Sequence, residues 1–377
     1  MIFAAVHITG LRQRFHNIHS PQNSVAIIMA TAAKIPVIDL ASKDEAQVAK
    51  DLVDAAVEHG FVYIKSQGND IPVDAIDGAF ELARKLFASP MEEKTSCPIQ
   101  TDNRGYSGMH VETLDPANQR VGDFKEAFNF GECKDGKPQQ PLPPSLIPHA
   151  DQIGAFFDHC YRLSLKLNTL LGIGLATDPP SFFHDAHLRE RGPSGTTLRM
   201  LHYPPLGESA GATANDVRAG AHSDYGSLTL LFRLRGQAGL EILTSEGRWA
   251  PVPVTPPGTE NDPSPPILVN IGDLLSYWTA GLLRSTVHRV VFPVAGGTEG
   301  ETAVDPRYSM AFFCHPVGSA ALEPVPSERV RAEGLKAAAR EGNPHALKKD
   351  EILTANEHLQ MRLRASYAGL YVDEGKE

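Results

Sequence analysis

The sequence predicts a mixed α+β protein in which helices flank a β core. Three observations predict it. Apolar residues recur at helical spacing through the first half of the chain. After Thr197 the texture changes to short β-branched and aromatic runs between Gly- and Pro-rich loops. From about Glu328 to Arg364 the composition returns to Ala, Glu, Lys, Arg and Leu, which favours helix. Short strands in close succession suggest an antiparallel barrel or a double-sheet jelly roll.

Ser42-Lys43-Asp44-Glu45 reads as a capping box. Val48, Leu52, Ala55 and Ala56 follow on one helix face, and Gly60 ends the helix. Phe61-Val62-Tyr63-Ile64 reads as a strand. A second helix is expected over Pro72–Ala88, with Ile76, Phe80, Ala83 and Phe87 inward. Pro138–Pro148 reads as a linker. Ile153, Phe156, Phe157, Cys160, Leu163, Leu167, Leu170 and Leu171 mark a third, long helix. Six strands are expected at Leu198–Tyr203, Ser227–Phe232, Leu240–Leu243, Ile267–Asn270, Thr286–Phe292 and Tyr308–Cys314. Gly207–Gly220 and Pro253–Pro266 read as long loops.

At 377 residues, with 42% hydrophobic and 21% charged residues, the chain can bury an ordinary globular core. The net charge of −10 and the lack of a basic stripe argue against a nucleic-acid partner. Cys97, Cys133, Cys160 and Cys314 are scattered, without a Cys-x-x-Cys pair. Free thiols in a reducing compartment, and hence a cytoplasmic protein, are expected. No apolar run approaches the ~20 residues of a membrane-spanning helix. Residues 1–38 contain no Asp or Glu and three full positive charges, Arg12, Arg14 and Lys34. Three readings stand: an organelle-targeting segment, a disordered extension, or a true start at Met29.

The chemistry concentrates in Ala221-His222-Ser223-Asp224-Tyr225 and Ser285-Thr286-Val287-His288-Arg289. Side chains at i and i+2 of an extended segment share a face, so His222 and Asp224 can address one metal. His288 is the candidate third ligand, flanked by strand formers. Two imidazoles and a carboxylate form the facial triad of non-haem Fe(II), leaving about three of six positions open. The His-x-Asp pair is weak alone in a chain with 15 histidines, and zinc can use the same ligands. A second pair, Arg307 and Ser309, also lies at i and i+2. Arginine offers a planar fork of donors and serine a hydroxyl, together a clamp for the far carboxylate of a dicarboxylic acid. The clamp favours iron. Tyr203 can place its hydroxyl on the same carboxylate or serve as a core residue. Tyr225 and Phe313 can line a substrate pocket and stack on a flat ring, or pack as ordinary core.

Taken together, these residues resemble the isopenicillin-N-synthase-like group of Fe(II)- and 2-oxoglutarate-dependent dioxygenases. The resemblance extends from Ile35 to about Tyr367. It is carried in the N-terminal half by Ile35–Leu40, His59–Tyr63, Asn103–Tyr106 and Asp123–Phe128. In the catalytic half it is carried by Leu198–Pro205, Ala219–Phe232, Asp273–Leu275, Ser285–Val291 and Arg307–Phe313. Fungal thymine-hydroxylase-like members are especially similar around Leu198–Tyr203 and Gly220–Phe232.

The resemblance implies a distorted double-stranded β-helix, or jelly roll, with flanking N- and C-terminal helices. It implies iron at His222, Asp224 and His288, and 2-oxoglutarate at Arg307 and Ser309 with Tyr203 assisting. It also implies Arg199, Tyr225 and Phe313 toward the substrate. The expected reaction hydroxylates, desaturates or cyclises a small organic molecule, such as a heterocycle or secondary metabolite, using O2 and releasing succinate and CO2. Ascorbate is an accessory reductant in this expectation, and the protein a monomer without membrane partners. The implied layout is an extension at residues 1–34, an N-terminal region at 35–147, a helix plus jelly-roll core at 148–325 and a C-terminal helical region at 326–377. An oxidase that spares 2-oxoglutarate and a non-enzymatic jelly-roll binding protein are the alternatives. Leu201 stands where plant flavonoid-type members commonly carry Asn, which leaves the substrate open.

Overall fold

The computed structural model describes residues 31–205, 216–292, 305–338 and 352–366. The described residues belong to one compact unit. Most of the expected N-terminal extension, most of the Gly207–Gly220 loop and the middle of the C-terminal helical region lie outside the described residues.

Two sheets build the core. The larger runs, from edge to edge, through Val37–Ile38, Phe61–Ile64, Ile267–Ile271, Leu228–Arg233, Arg307–Cys314, Thr197–Tyr203, Glu126–Phe130 and Gly105–Ser107. The smaller runs through Trp249–Pro251, Leu240–Leu243, His288–Val291 and Val217–His222. All pairings are antiparallel except Val37–Ile38 with Phe61–Ile64. This is the double-sheet β core expected from the sequence.

Period-two alternation divides the large sheet between structure and chemistry. Leu198 and Met200, Leu230 and Phe232, and Met310 and Phe312 point to the helical side and join its core cluster. There the long helix Ala150–Gly174 packs Phe156 on Phe232 and Phe157 on Phe312, with ring centroids 5.3 and 4.9 Å apart. The alternate residues Leu201, Tyr203, Leu231, Arg307, Ser309, Ala311 and Phe313 line a cavity between the sheets. A one-residue slip of Arg307–Cys314 would send the clamp into the apolar core.

The helices lie close to expectation at Glu45–Glu58, Val73–Phe87 and Ala150–Gly174. The first is capped differently. Asp44, not Ser42, is its N-cap, and its carboxylate accepts from the Gln47 N–H at 3.0 Å. Gly60 follows this helix at φ +67°, and a Cβ there would meet the Arg284 carbonyl oxygen at 2.2 Å, so glycine is required. The expected Gly207–Gly220 loop is shorter at its end, because Val217–His222 is a strand. The tail forms helices Glu328–Ala338 and Ala355–Ser366. All four cysteines are free. No helix of the described residues is long and apolar enough to cross a membrane.

Two imidazoles are buried among the helices, His187 and His358, and the first ties a helix end to the sheet. His187 Nδ1 donates to the Phe183 carbonyl at 2.6 Å, and its Nε2 faces Ser227 Oγ at 2.9 Å. Burial holds His187 and His358 down to about 4 from 6.5. The unfolded chain therefore takes up protons near pH 6.5 while the folded chain resists, at about 1.4 kcal/mol per unit of depression. Folding stability should be level above pH 7 and fall as pH drops from 6.5 toward 5, before carboxylates contribute. Thermal melts across that window check this; an unchanged melting temperature contradicts it.

Candidate metal and cosubstrate site

His222 and His288 meet because they are register partners in the antiparallel pair Val217–His222 and His288–Val291. Directly opposed side chains lie close on one sheet face, and the two imidazole centroids are 4.3 Å apart. Asp224 follows on the turn after the first strand. Its Oδ1 lies 3.8 Å from His222 Nε2 and 3.7 Å from His288 Nε2. Ligand atoms each ~2.1 Å from one divalent ion are at most about 4.2 Å apart, so both separations suit a shared metal.

Each ligand is oriented from behind. His222 Nδ1 donates to the Gly220 carbonyl at 2.7 Å and His288 Nδ1 to the Thr286 carbonyl at 3.1 Å, which leaves both Nε2 lone pairs facing Asp224. Asp224 Oδ2 accepts from Thr229 Oγ1 and from Asn270 Nδ2, both at 2.7 Å. Oδ1 alone is left for a metal. Burial, then the neighbouring His288 imidazole, holds His222 down to about 3, so its ring is neutral at physiological pH. Burial opposes ionisation of Asp224, but the two imidazoles and the Asn270 and Thr229 hydrogen bonds outweigh it and lower its pKa. A neutral imidazole at His222 and an ionised carboxylate at Asp224 are the protonation states that bind a cation.

One cavity is lined by the triad and also by Tyr203, Arg307 and Ser309. Arg307 is 1% exposed. Its Nε donates to the Ala238 carbonyl at 2.9 Å, and its Nη1 lies 3.3 Å from Ser309 Oγ. Its guanidinium sits over the Tyr203 ring, 4.8 Å from the centroid. Among the described residues no carboxylate pairs with it. A cation this deeply buried requires an anionic partner.

A second cavity shares His222, Asp224, Arg199 and Phe313 with the first and adds Tyr225, Glu112, Leu359 and Leu363. Arg199 Nε donates to Asn129 Oδ1 at 2.8 Å, its Nη1 lies 3.3 Å from Glu112 Oε2, and its guanidinium is 5.5 Å from the Phe313 centroid. Lys125 pairs with Glu112 at 2.8 Å and with Asp123. Asp123 Oδ1 in turn accepts from the Gly220 N–H at 3.1 Å, bracing the strand that carries His222.

All nine residues singled out in the sequence thus line one or both cavities. Sequence reasoning missed the roles of Asn270, Thr229, Glu112 and Asn129. The run Asn270-Ile271-Gly272-Asp273 was a visible cue for the first; Glu112 lies in an irregular loop with no local signal.

Removing both donors to Asp224 Oδ2, by Asn270→Ala with Thr229→Val, should free the carboxylate to rotate. Divalent-metal affinity should fall roughly 10- to 100-fold, the range typical of lost outer-sphere partners. Calorimetric titration of the folded double variant tests this; affinity within twofold of the parent contradicts it.

The comparisons with known proteins agree with this geometry. Residues 195–316 match the 2OG-Fe(II) oxygenase superfamily, and residues 35–150 match the N-terminal region of the non-haem dioxygenases of morphine synthesis. A UPF0676 protein of Schizosaccharomyces pombe is 38% identical over 302 residues, covering 78% of this chain and 86% of its own. The proline hydroxylase buaE of Petromyces alliaceus is 31% identical, covering 81% of this chain and 89% of its own. The structure is similar to Neurospora crassa T7H solved with alpha-KG and thymine, at TM-score 0.69 and 28% identity over 89% of this chain and 99% of that one. A two-sheet core, a largely buried His–Asp–His set and, in the same cavity, an arginine with no acidic partner among the described residues, together with these matches, place the chain in the 2OG-Fe(II) oxygenase superfamily, as a 2-oxoglutarate-dependent dioxygenase.

Proposed function

We propose that His222, Asp224 and His288 hold Fe(II), that Arg307 and Ser309 hold the far carboxylate of 2-oxoglutarate, and that Arg199, Tyr225 and Phe313 receive a flat, polar small molecule. The observation that carries the reading is Arg307, a buried guanidinium in the cavity that also contains the triad, without an acidic partner among the described residues. When bound, iron and 2-oxoglutarate together use O2 to oxidise a C–H bond, releasing succinate and CO2.

The chain's own residues supply position and environment. Main-chain carbonyls hold the Arg307 Nε, so the rest of its fork is preset toward the cavity, and Ser309 adds a hydroxyl donor beside it. Tyr203 contributes its ring face under the guanidinium. Leu201, Leu231, Ala311 and Val290 supply apolar wall beside the polar Lys125, Thr229 and Asn270 and limit water around the reacting atoms. In the adjoining cavity Tyr225 and Phe313 offer aromatic surface. Arg199, braced by Asn129 and Glu112, offers a donor to a carbonyl or carboxylate. A heterocycle or ring-bearing secondary metabolite fits this mixture of ring faces and polar wall. The bound thymine of the Neurospora crassa T7H structure supports this class.

We also read residues 35–147, 148–325 and 326–377 as N-terminal region, catalytic core and covering helices of one cytoplasmic monomer that binds no nucleic acid. The free cysteines support the compartment, and the acidic charge balance supports the lack of a nucleic-acid partner.

Arg307→Lys keeps the charge and loses the fork. Its apparent affinity for 2-oxoglutarate should fall roughly 10- to 100-fold, the cost of about 1.5–3 kcal/mol for hydrogen bonds to a charged group. Succinate formation measured against 2-oxoglutarate concentration tests this. An unchanged half-saturation point removes the clamp, and turnover without succinate points to an oxidase that spares 2-oxoglutarate.

A further inference from the structure

Behind the triad lies Asp273, whose side chain is 3% exposed. Its carboxylate receives three donors from three separate segments. Ser223 Oγ is 3.0 Å away, Ser285 Oγ 2.7 Å and Arg362 Nη2 2.9 Å. Ser223 stands between two proposed metal ligands, and Ser285 lies on the segment that leads into the third. The Asp273 N–H also donates to the Asp224 carbonyl at 2.7 Å. One residue therefore braces both segments that present the triad.

The third donor comes from the far end of the chain. Arg362 belongs to the helix Ala355–Ser366, which also supplies Leu359 and Leu363 to the wall of the substrate cavity. The Arg362 guanidinium lies over the ring of Tyr225, 4.8 Å from its centroid. It touches the carboxylate behind the metal ligands on one side and a ring of the substrate cavity on the other.

We propose that Arg362 is a positioning residue that couples the seating of helix Ala355–Ser366 over the substrate cavity to the geometry of the metal triad. This rests on reading His222, Asp224 and His288 as the metal site. The cause is electrostatic. A buried carboxylate held only by two hydroxyls lacks a counter-charge, and Arg362 supplies it. With Arg362 withdrawn, Asp273 turns from its two serines, and the segments carrying Asp224 and His288 lose their common brace. Coupling of this kind is reciprocal. A metal that fixes the triad must steady the helix, although no residue of the helix is a ligand.

Hydrogen–deuterium exchange on the full-length apoprotein, with and without Co(II), tests this. In the wild type, Co(II) should slow exchange within residues 220–225 and 286–289, and also within 355–366, the last by roughly fivefold. Arg362→Gln should abolish the effect on the helix, weaken Co(II) binding and change the Co(II) visible spectrum. Arg362→Lys, which restores the charge, should recover part of each. Protection of the triad segments without protection of 355–366 overturns the coupling, and the wild-type protein alone can show it. A folded Arg362→Gln protein with unchanged Co(II) affinity and spectrum overturns it too. Exchange that Co(II) changes nowhere instead defeats the metal reading on which the coupling rests.

Discussion

The division of labour between the two oxygens of Asp224 is the constraint on which the rest of the site depends. One oxygen is fully engaged by Asn270 and Thr229, and the other faces two imidazoles. A carboxylate free to rotate could chelate with both oxygens or swing into solvent. Pinned as it is, it presents a single ligand atom. Asn270 and Thr229 can do this because they are register partners on adjacent strands of the large sheet. Sheet pairing thus sets the coordination geometry.

The same economy governs the buried charges. Lys125, Asp123, Glu112 and Arg199 form a chain of alternating sign that runs from the Gly220 amide to the wall of the substrate cavity. Lys125 stays protonated despite burial because Asp123 and Glu112 flank it. Compensated networks of this kind give position more than stability. Arg307 is the exception, since no described acid compensates it, and this is why it reads as half of an ion pair whose other half arrives with the cosubstrate.

Much of this was legible in the sequence. Strand periodicity put Arg307, Ser309 and Phe313 on one face, and the alternation of Met310 and Phe312 toward the helices shows why. The long helix carried its apolar stripe openly. Other parts were hidden for physical reasons. Glu126–Phe130 is buried at every position, so it lacks the alternation that marks a half-buried strand. Val37–Ile38 and Trp249–Pro251 are too short to show a period. Ser42 and Asp44 both offer a capping oxygen, and only the backbone geometry selects Asp44. Glu112 reaches Arg199 across 87 residues and Asp273 reaches Ser223 across 50, which no local pattern can reveal.

The central claim is that one cavity holds iron and 2-oxoglutarate together, the first at the triad and the second reaching Arg307. Anaerobic addition of Fe(II) and then 2-oxoglutarate, followed by visible absorption, tests it most directly. Chelation of ferrous iron by a 2-oxo acid gives a charge-transfer band that neither component shows alone. The account predicts this band in the wild type at one equivalent of each, its loss in His222→Ala, and its recovery in Arg307→Lys only at much higher 2-oxoglutarate. Absence of the band in folded, iron-loaded wild-type protein would contradict it.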